Sequence, residues 1–338
     1  MTLDSQGGLI RVSVVMLSER EIRGIIGYRK AIDLVRRAFV LHTRGEVILP
    51  EVMNFDFRDV AGETHVKGAH LKGSPYFSIK VASGFYKNPE KGLPVGSGMV
   101  SVFDATTGQL RAVLFDNGFL TDLRTAASGA VATDVLGRRD VQSVGVLGCG
   151  IQARYQLEAL LEVRSPRTAK VYCRTRPNAE AYAAWAGKAL GLEVIVADGP
   201  EQVVRDVDVL ITTTPAQSPV VRLPWLRPGT HVTAIGSDMP HKQELDADVL
   251  GQADRVAVDS LAQASRQGEL HHALDAGLLA LDDVHELGEI VAGLWPGRER
   301  QEEITVADLT GIGVLDAAVA GYVTQAAIAR GMGRSLEV

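Results

Sequence analysis

The chain has 338 residues, of which 46% are apolar and 22% are charged, as in a globular protein with room for two domains. Its formal net charge of −6 provides no basic surface for a phosphate backbone, so the sequence disfavours nucleic-acid binding. No apolar run approaches the roughly 18 residues of a membrane span, so we expect no membrane segment. Two cysteines are too few for a disulfide framework, which favours a reduced, cytoplasmic protein.

The first 120 residues combine one helical segment with several strand-like runs. Apolar residues recur at helical spacing over Ser18–Arg44, where Ser18 is placed to cap the helix. Five strand-like runs follow, separated by Gly, Pro and Asn turns, and together they predict an α+β domain. The runs are Val47–Phe57, His65–Leu71, Tyr76–Ser83, Gly98–Asp104 and Leu110–Phe115.

Beyond about Leu120, helices alternate with strands, which is typical of a parallel sheet covered by helices on both faces. The predicted fold class is therefore α/β, with a Rossmann-type doubly wound parallel sheet domain beside the α+β domain. We expect a last helix, Val314–Ala329, to return and pack on the first domain. The predicted strands are Ser143–Leu147, Ala169–Cys173, Glu193–Val196, Val209–Thr213, Thr230–Ile235 and Arg255–Val258, and the predicted helices are Thr121–Leu136, Gln152–Val163 and Asn178–Leu190.

The stretch VGVLGCGIQARYQLEAL, Val144–Leu160, has the form of a dinucleotide-binding turn between a buried strand and a helix. Gly148 permits the tight turn, Gly150 lets the backbone approach a pyrophosphate, and Ala153 allows close packing of the helix on the strand. The free N–H groups at the helix N-terminus then bind the diphosphate. The predicted cofactor-binding residues of this turn are Gly148, Gly150, Ile151 and Gln152.

The end of the second strand favours NADP(H) over NAD(H). An acidic side chain there would bind the ribose 2′-hydroxyl of NAD, but the sequence continues as Arg174-Thr175-Arg176. Two guanidinium groups and a hydroxyl suit a 2′-phosphate through charge-assisted hydrogen bonds.

Several segments together resemble the ornithine cyclodeaminase/mu-crystallin family over nearly the whole chain. The sequence of one segment, GELHHALDAG (Gly268–Gly277), is most similar to the ectoine-utilisation branch of that family. The other matching segments are SIKVASGFYKNPEKGLP (Ser78–Pro94), LFDNGFLTDLRTAASGAVA (Leu114–Ala132), VLGCGIQARYQLEAL (Val146–Leu160), AIGSDMPHKQELD (Ala234–Asp246) and LTGIGVLDAA (Leu309–Ala318).

The resemblance implies a homodimer in which residues 1–120 with 314–338 form a substrate-binding and dimerisation domain. Residues 121–313 then form the Rossmann domain. Members of the family include cyclodeaminases that use NAD catalytically. Others are reductases and dehydrogenases that act on amino acids, imino acids and cyclic ketimines.

The resemblance also implies roles for three charged residues. Lys80 matches a lysine that holds the substrate carboxylate and polarises the substrate, and Arg124 matches an arginine that binds the carboxylate in a bidentate manner. Asp238 matches the acid that faces the substrate nitrogen and exchanges a proton with it. Thr213 and Ser237, near strand ends, are predicted to contact the cofactor.

Two charges depart from the cyclodeaminase pattern. Glu51 stands at or near the position of an arginine that grips the carboxylate, and Lys67 stands about where the cyclodeaminases have a glutamate. This exchange predicts a substrate other than ornithine. His271 and His272 are adjacent on a predicted helix, so we expect them to point apart and not to bind a metal.

The sequence therefore predicts an NAD(P)-dependent imine reductase or amino-acid dehydrogenase that acts on a small amino or imino acid. One alternative is a cyclodeaminase that releases ammonia without net redox change. Another is a cofactor-binding, crystallin-like protein without turnover, which the presence of Lys80, Arg124 and Asp238 disfavours.

Overall fold

A computed structural model describes residues 13–337 of the chain, so the first twelve residues of the predicted first domain lie outside it. The helices are α1 Glu19–Arg23, α2 Tyr28–Thr43, α3 Phe119–Leu136, α4 Ile151–Leu161, α5 Arg176–Leu190, α6 Pro200–Val204, α7 Ala247–Gly251, α8 Leu261–Ala264, α9 Leu270–Asp275, α10 Leu287–Val291 and α11 Gly313–Arg330. The strands are β1 Ser13–Ser18, β2 Val47–Ile48, β3 Met53–Phe57, β4 Gly62–Leu71, β5 Tyr76–Phe85, β6 Gly96–Asp104, β7 Leu110–Phe115, β8 Ser143–Leu147, β9 Thr168–Tyr172, β10 Glu193–Val196, β11 Val209–Thr212, β12 Gln217–Val221, β13 His231–Ala234, β14 Gln243–Leu245, β15 Arg255–Val258, β16 Val284–Glu286, β17 Thr305–Asp308 and β18 Arg334–Glu337.

The chain divides into two compact units. Unit 1 contains residues up to Gly27 together with Gly45–Thr121 and Gly313–Val338, and unit 2 contains Tyr28–Arg44 and Asp122–Ile312. The helix α2 thus lies in unit 2, although the sequence places it in the first domain. It packs there against α10, where Gly288 leaves no room for a side chain because the Phe39 carbonyl lies 2.3 Å from the position of a Cβ atom.

Unit 1 is a mixed sheet with strand order β18-β1-β7-β6-β5-β4-β2, and β3 pairs with β4. Helix α11 packs on β4 and β5, as the sequence predicts for its last helix. The predicted helix over Ser18–Arg44 was wrong in one respect, since it breaks into α1 and α2 at Gly24–Gly27. Its start is confirmed, because Ser18 and Glu21 form a capping box.

Unit 2 is a parallel sheet with strand order β10-β9-β8-β11-β13-β17-β15-β16, so the predicted fold class is confirmed. Its strand side chains point alternately into two apolar clusters. Val209 and Ile211 belong to one cluster, and Leu210 between them belongs to the other. Helices therefore cover both faces of the sheet, as in a doubly wound fold. The sequence missed β16 and β17, which are short, and β17 lies between β13 and β15 in the sheet.

The core of unit 2 contains a fully buried histidine. His231 lies on β13 between two threonine hydroxyls, with Thr305 Oγ1 2.9 Å from Nδ1 and Thr233 Oγ1 3.0 Å from Nε2. Burial lowers the pKa of His231 to about 3, and the positive charges of Arg298 and Arg164 act in the same direction. The imidazole is therefore neutral in the folded protein.

We predict that replacing His231 with Gln makes stability less dependent on pH between about 6.5 and 4. The pKa of His231 is lower in the folded than in the unfolded chain, so the unfolded chain alone binds a proton in this range. The stabilising contribution is present above the unfolded pKa, is lost as pH falls, and amounts to a few kcal/mol. Urea unfolding at several pH values measures it, with the exposed His241→Gln as control. Parallel pH curves for His231→Gln and the wild type would contradict this account.

Candidate active site

The dinucleotide-type turn joins β8 to α4 in unit 2 as predicted. Gly148 has φ +109°, and a Cβ atom there would lie 2.5 Å from Thr213 Oγ1. Gly150 is the N-cap of α4, and no atom lies within 4 Å of the position its Cβ would take. Ala153 is fully buried, as close packing of helix on strand requires. The open glycine backbone at the start of an eleven-residue helix fits a diphosphate group.

The first turn of α4 is fixed by a neighbouring helix. Gln152 Nε2 donates to Asp122 Oδ1 on α3 at 2.6 Å, so the predicted cofactor residue Gln152 is held by its side chain. Ile151 is 60% exposed beside it. The N–H groups of this turn therefore lie on a fixed backbone.

The two cysteines lie beside this turn, at the ends of the neighbouring strands β8 and β9. Both are free thiols, and the Cys173 thiol donates to the Thr175 carbonyl at 3.4 Å. Burial raises the pKa of Cys149, and the contact with Cys173 raises it further. A protonated thiol is a weak nucleophile, so we assign Cys149 no chemical role.

The basic residues after β9 are exposed but differ in their partners. Arg176, the first residue of α5, forms ion pairs with Glu180 at 3.1 Å and Asp198 at 2.5 Å. Arg174 and Thr175 are exposed, and Arg174 forms no ion pair within residues 13–337. The predicted pair of arginines is thus unequal, with the Arg176 guanidinium already neutralised by acids.

Thr213 and Asp238 lie in loops at the carboxyl edge of this sheet. Because β8, β11 and β13 are adjacent and parallel, the loops that follow them are neighbours. The N–H of Thr213 donates to the Leu147 carbonyl at 2.9 Å, so its loop contacts the glycine turn. Asp238 Oδ1 accepts from the Lys242 ammonium at 2.6 Å, a partner that the sequence did not indicate. The buried Ser237 hydroxyl donates to the Lys242 carbonyl, so it stabilises this loop directly.

Two histidines support the loop that carries Asp238. The prediction that His271 and His272 point apart was wrong, since their ring centroids are 3.8 Å apart. His272 Nε2 lies 2.9 Å from the Lys242 carbonyl, and His271 Nε2 lies 3.1 Å from the Pro240 carbonyl. Across the described part of the chain, no group of three His, Cys, Asp or Glu side chains is arranged to hold a metal.

Arg124 belongs to the same edge of unit 2. It is 5% exposed on α3, and its Nη1 lies 2.7 Å from the position of a Cβ atom on Gly311. Gly311 follows β17, the strand next to β13, and its N–H donates to the Asp259 carboxylate. Gly311 therefore gives the guanidinium room beside the strand ends.

Lys80 lies in unit 1 and is 3% exposed. Its ammonium is 3.0 Å from both carboxylate oxygens of Asp316 on α11. Asp116, also buried, follows β7, and its Oδ2 accepts from the N–H of Leu120. Burial raises the pKa of Asp116, whereas the charge of Lys80 opposes that rise. Neither acid was predicted from the sequence, because no local pattern indicates that α11 returns Asp316 to Lys80.

The exchanged charges, Lys67 and Glu51, occupy different surroundings in unit 1. Lys67 is paired with Lys80 in the register of β4 and β5, so the two cations are cross-strand neighbours. Glu51 is exposed in the segment between β2 and β3. A carboxylate that contacts Lys80 is that of Asp316 on α11.

Residues 12–331 match the model of the ornithine cyclodeaminase/mu-crystallin family. The chain belongs to the ornithine cyclodeaminase/mu-crystallin family. Its predicted family is therefore confirmed.

Named relatives within the family differ in activity. A Sinorhizobium fredii protein named as an uncharacterised cyclodeaminase is 42% identical over 325 residues, covering 95% of this chain and 98% of the relative. An archaeal alanine dehydrogenase dimer with bound NAD has a TM-score of 0.89 at 35% identity, covering 96% of this chain and 99% of that one. The Δ1-pyrroline-2-carboxylate reductase of Thermococcus litoralis, solved with NADH and L-proline, has a TM-score of 0.90 at 31% identity, covering 95% and 99%. These solved relatives are nicotinamide-dependent oxidoreductases, as the sequence predicted for this family member.

We predict that Lys80 and Asp316 depend on one another for stability. Lys80→Met or Asp316→Leu alone removes one member of a buried ion pair and should lower the free energy of unfolding by about 3–5 kcal/mol. The double variant should lose less than the sum of the two, as measured by urea unfolding. The exposed pair Arg58 and Asp56, 2.6 Å apart in the same unit, is the control and should contribute much less, because solvent screens it. Additive losses for Lys80 and Asp316 would show that they are not coupled.

Proposed function

We propose that this protein is a nicotinamide-dependent oxidoreductase that acts at the carbon–nitrogen bond of a small amino or imino acid. The observation that carries the proposal is the carboxyl edge of the unit 2 sheet. There the glycine turn after β8, the Thr213 loop after β11 and the Asp238 loop after β13 are adjacent. Ligands bind at this edge in open α/β sheets, where the strand order changes direction.

The residues at this edge have the chemistry that the reaction requires. A bound nicotinamide supplies hydride acceptance or donation. The Arg124 guanidinium binds the substrate carboxylate, which holds the reacting carbon in one place. The Asp238 carboxylate exchanges a proton with the substrate nitrogen, and it forms an ion pair with Lys242.

The proposed substrate differs from ornithine in its second charged group. Lys67, a cross-strand neighbour of Lys80 in unit 1, stands about where the cyclodeaminases have a glutamate. A cation in place of that acid disfavours a substrate with a second ammonium. We therefore propose a dicarboxylic or neutral-tailed amino or imino acid rather than ornithine.

A second candidate function, cyclodeamination, is favoured by the name of the 42% identical Sinorhizobium fredii relative. The two functions differ in their use of cofactor. A reductase or dehydrogenase changes nicotinamide absorbance in proportion to substrate, whereas a cyclodeaminase releases ammonia with only a trace of cofactor. A panel of imino and amino acids, assayed with both nicotinamides and for ammonia, distinguishes them. A third candidate is a crystallin-like protein without turnover, which would change neither nicotinamide absorbance nor ammonia in any of these assays.

We predict that Asp238→Asn keeps dinucleotide binding but lowers turnover by a factor of about 10² to 10⁴, the usual range for a proton-transfer group. Steady-state kinetics measure turnover, fluorescence titration measures binding, and thermal melting tests whether loss of the Lys242 ion pair unfolds the loop. Asp248→Asn, exposed on α7 of the same unit, is the matched control. Near-normal turnover of a folded Asp238→Asn would reduce Asp238 to a structural role.

We also propose NADP(H) as the preferred cofactor. Arg174 and Thr175 are exposed at the end of β9, where an acid would select NAD. The Arg174 guanidinium forms no ion pair within residues 13–337. The solved relatives contain NAD and NADH, so this preference would distinguish the chain from them. Arg176 is engaged by Glu180 and Asp198 and contributes less.

We predict that NADPH binds more tightly than NADH, by about tenfold or more for one charge-assisted phosphate contact. Arg174→Asp should reverse the preference, because it removes the cation and repels a 2′-phosphate. Arg176→Ala, the matched control, should change the ratio much less. Dissociation constants from fluorescence titration decide the matter, and equal wild-type affinities would contradict the proposal.

We propose further that the chain forms a homodimer through unit 1 and works in the cytoplasm. Met53, Phe55 and Phe57 on β3 are all more than 40% exposed, and Phe57 stacks on Phe85. An apolar strand surface of this kind is typical of a contact between subunits. Two free thiols suit a reducing compartment, and within residues 13–337 no helix has the length and apolar content to cross a bilayer.

A further inference from the structure

The buried carboxylate of Glu244 accepts hydrogen bonds from two loops of the candidate site. It lies on β14 and is fully buried. Oε1 accepts from the N–H and the hydroxyl of Thr214 at 2.5 and 2.8 Å, and Oε2 accepts from Thr212 Oγ1 at 2.7 Å and the Gly236 N–H at 2.8 Å. Four donors match the roughly four lone-pair positions of one carboxyl group.

These donors come from the two strand ends that carry Thr213 and Asp238. Thr212 is the last residue of β11 and Thr214 follows it, so the two flank Thr213. Gly236 follows β13 and stands two residues before Asp238. The loops approach so closely that a Cβ atom on Gly236 would lie 2.2 Å from the Thr214 carbonyl oxygen. Glu244 therefore joins the two loops, because it accepts hydrogen bonds from both of them.

Glu244 is itself fixed by two further buried acids. Glu269 accepts from the backbone N–H groups of Glu244 and Leu245 at 2.8 and 3.0 Å. Asp308, at the end of β17, in turn accepts from the N–H of Glu269 at 2.8 Å. Each carboxylate thus holds the backbone of the next acid, and this chain of contacts leads from the end of β17 to the loops beside Asp238.

We infer that Glu244 is a positioning residue for the proposed reaction, which fixes the Asp238 loop against the Thr213 loop. The inference rests on the proposed function. A buried carboxyl group costs more to desolvate than an apolar side chain of similar size, so stability alone does not explain this residue. Its four acceptor contacts instead define where Asp238 stands relative to the glycine turn that Thr213 contacts.

The test is Glu244→Gln, which keeps the shape of the side chain but replaces one acceptor oxygen with an NH₂ group that cannot accept from these donors. The matched control is Glu303→Gln, since Glu303 is likewise buried, at 2% exposed, and pairs with Arg255 at the amino end of β17. We expect Glu244→Gln to bind ADP-ribose within about twofold of wild type, because the glycine turn is intact. We expect turnover to fall about 10- to 100-fold, as for a small misplacement of reacting groups, and the pH profile of kcat/KM to shift. Glu303→Gln should lose stability but keep turnover and pH profile.

Amide hydrogen exchange at Thr214 and Gly236 separates this inference from the proposed function. Faster exchange at these two amides in Glu244→Gln, but not in Glu303→Gln, supports positioning, as does weaker binding of complete dinucleotide with unchanged ADP-ribose binding. Unchanged exchange, or turnover and pH profile equal to those of Glu303→Gln, would overturn it. A wild-type protein that binds dinucleotide yet turns over no substrate would refute the proposed function, whereas the exchange and binding comparison would still decide the role of Glu244.

Discussion

The candidate site depends on one geometric constraint, which is that parallel strands end at the same edge of their sheet. In unit 2 the strands β8, β11, β13 and β17 are consecutive neighbours, so four loops from distant parts of the sequence meet there. Backbone N–H groups in loops lack the hydrogen-bond partners that a β-sheet provides. Where such N–H groups are buried, they require other acceptors. Glu244, Glu269 and Asp308 provide these acceptors, so the order of the loops and the buried acids form one structural arrangement.

Charge balance is the second common feature of the candidate residues. In unit 1 Lys80 is balanced by Asp316, and in unit 2 Asp238 is balanced by Lys242. Each ion pair lowers the cost of keeping its charged groups out of water, which an isolated buried charge would carry in full.

The sequence predicted those features that are encoded locally. The glycine turn, the capping box of Ser18 and the α/β alternation each depend on residues within a few positions of one another. The partners of Lys80 and Asp238 were missed, because ion pairing depends on where the chain returns. The helix Ser18–Arg44 was predicted as continuous, since apolar spacing persists across Gly24–Gly27. The short strands β16 and β17 have too few residues to show a period.

The division of unit 1 into three separate segments has a consequence for synthesis of the chain. Lys80 is synthesised 236 residues before Asp316, with which it forms an ion pair. The separation between β1 and its neighbour β18 is longer still. All of unit 2 is complete before Gly313 is added. The nascent unit 1 therefore lacks the Asp316 carboxylate beside Lys80 and keeps an open sheet edge for most of translation, and domains that fold as units can close only when their last segment arrives.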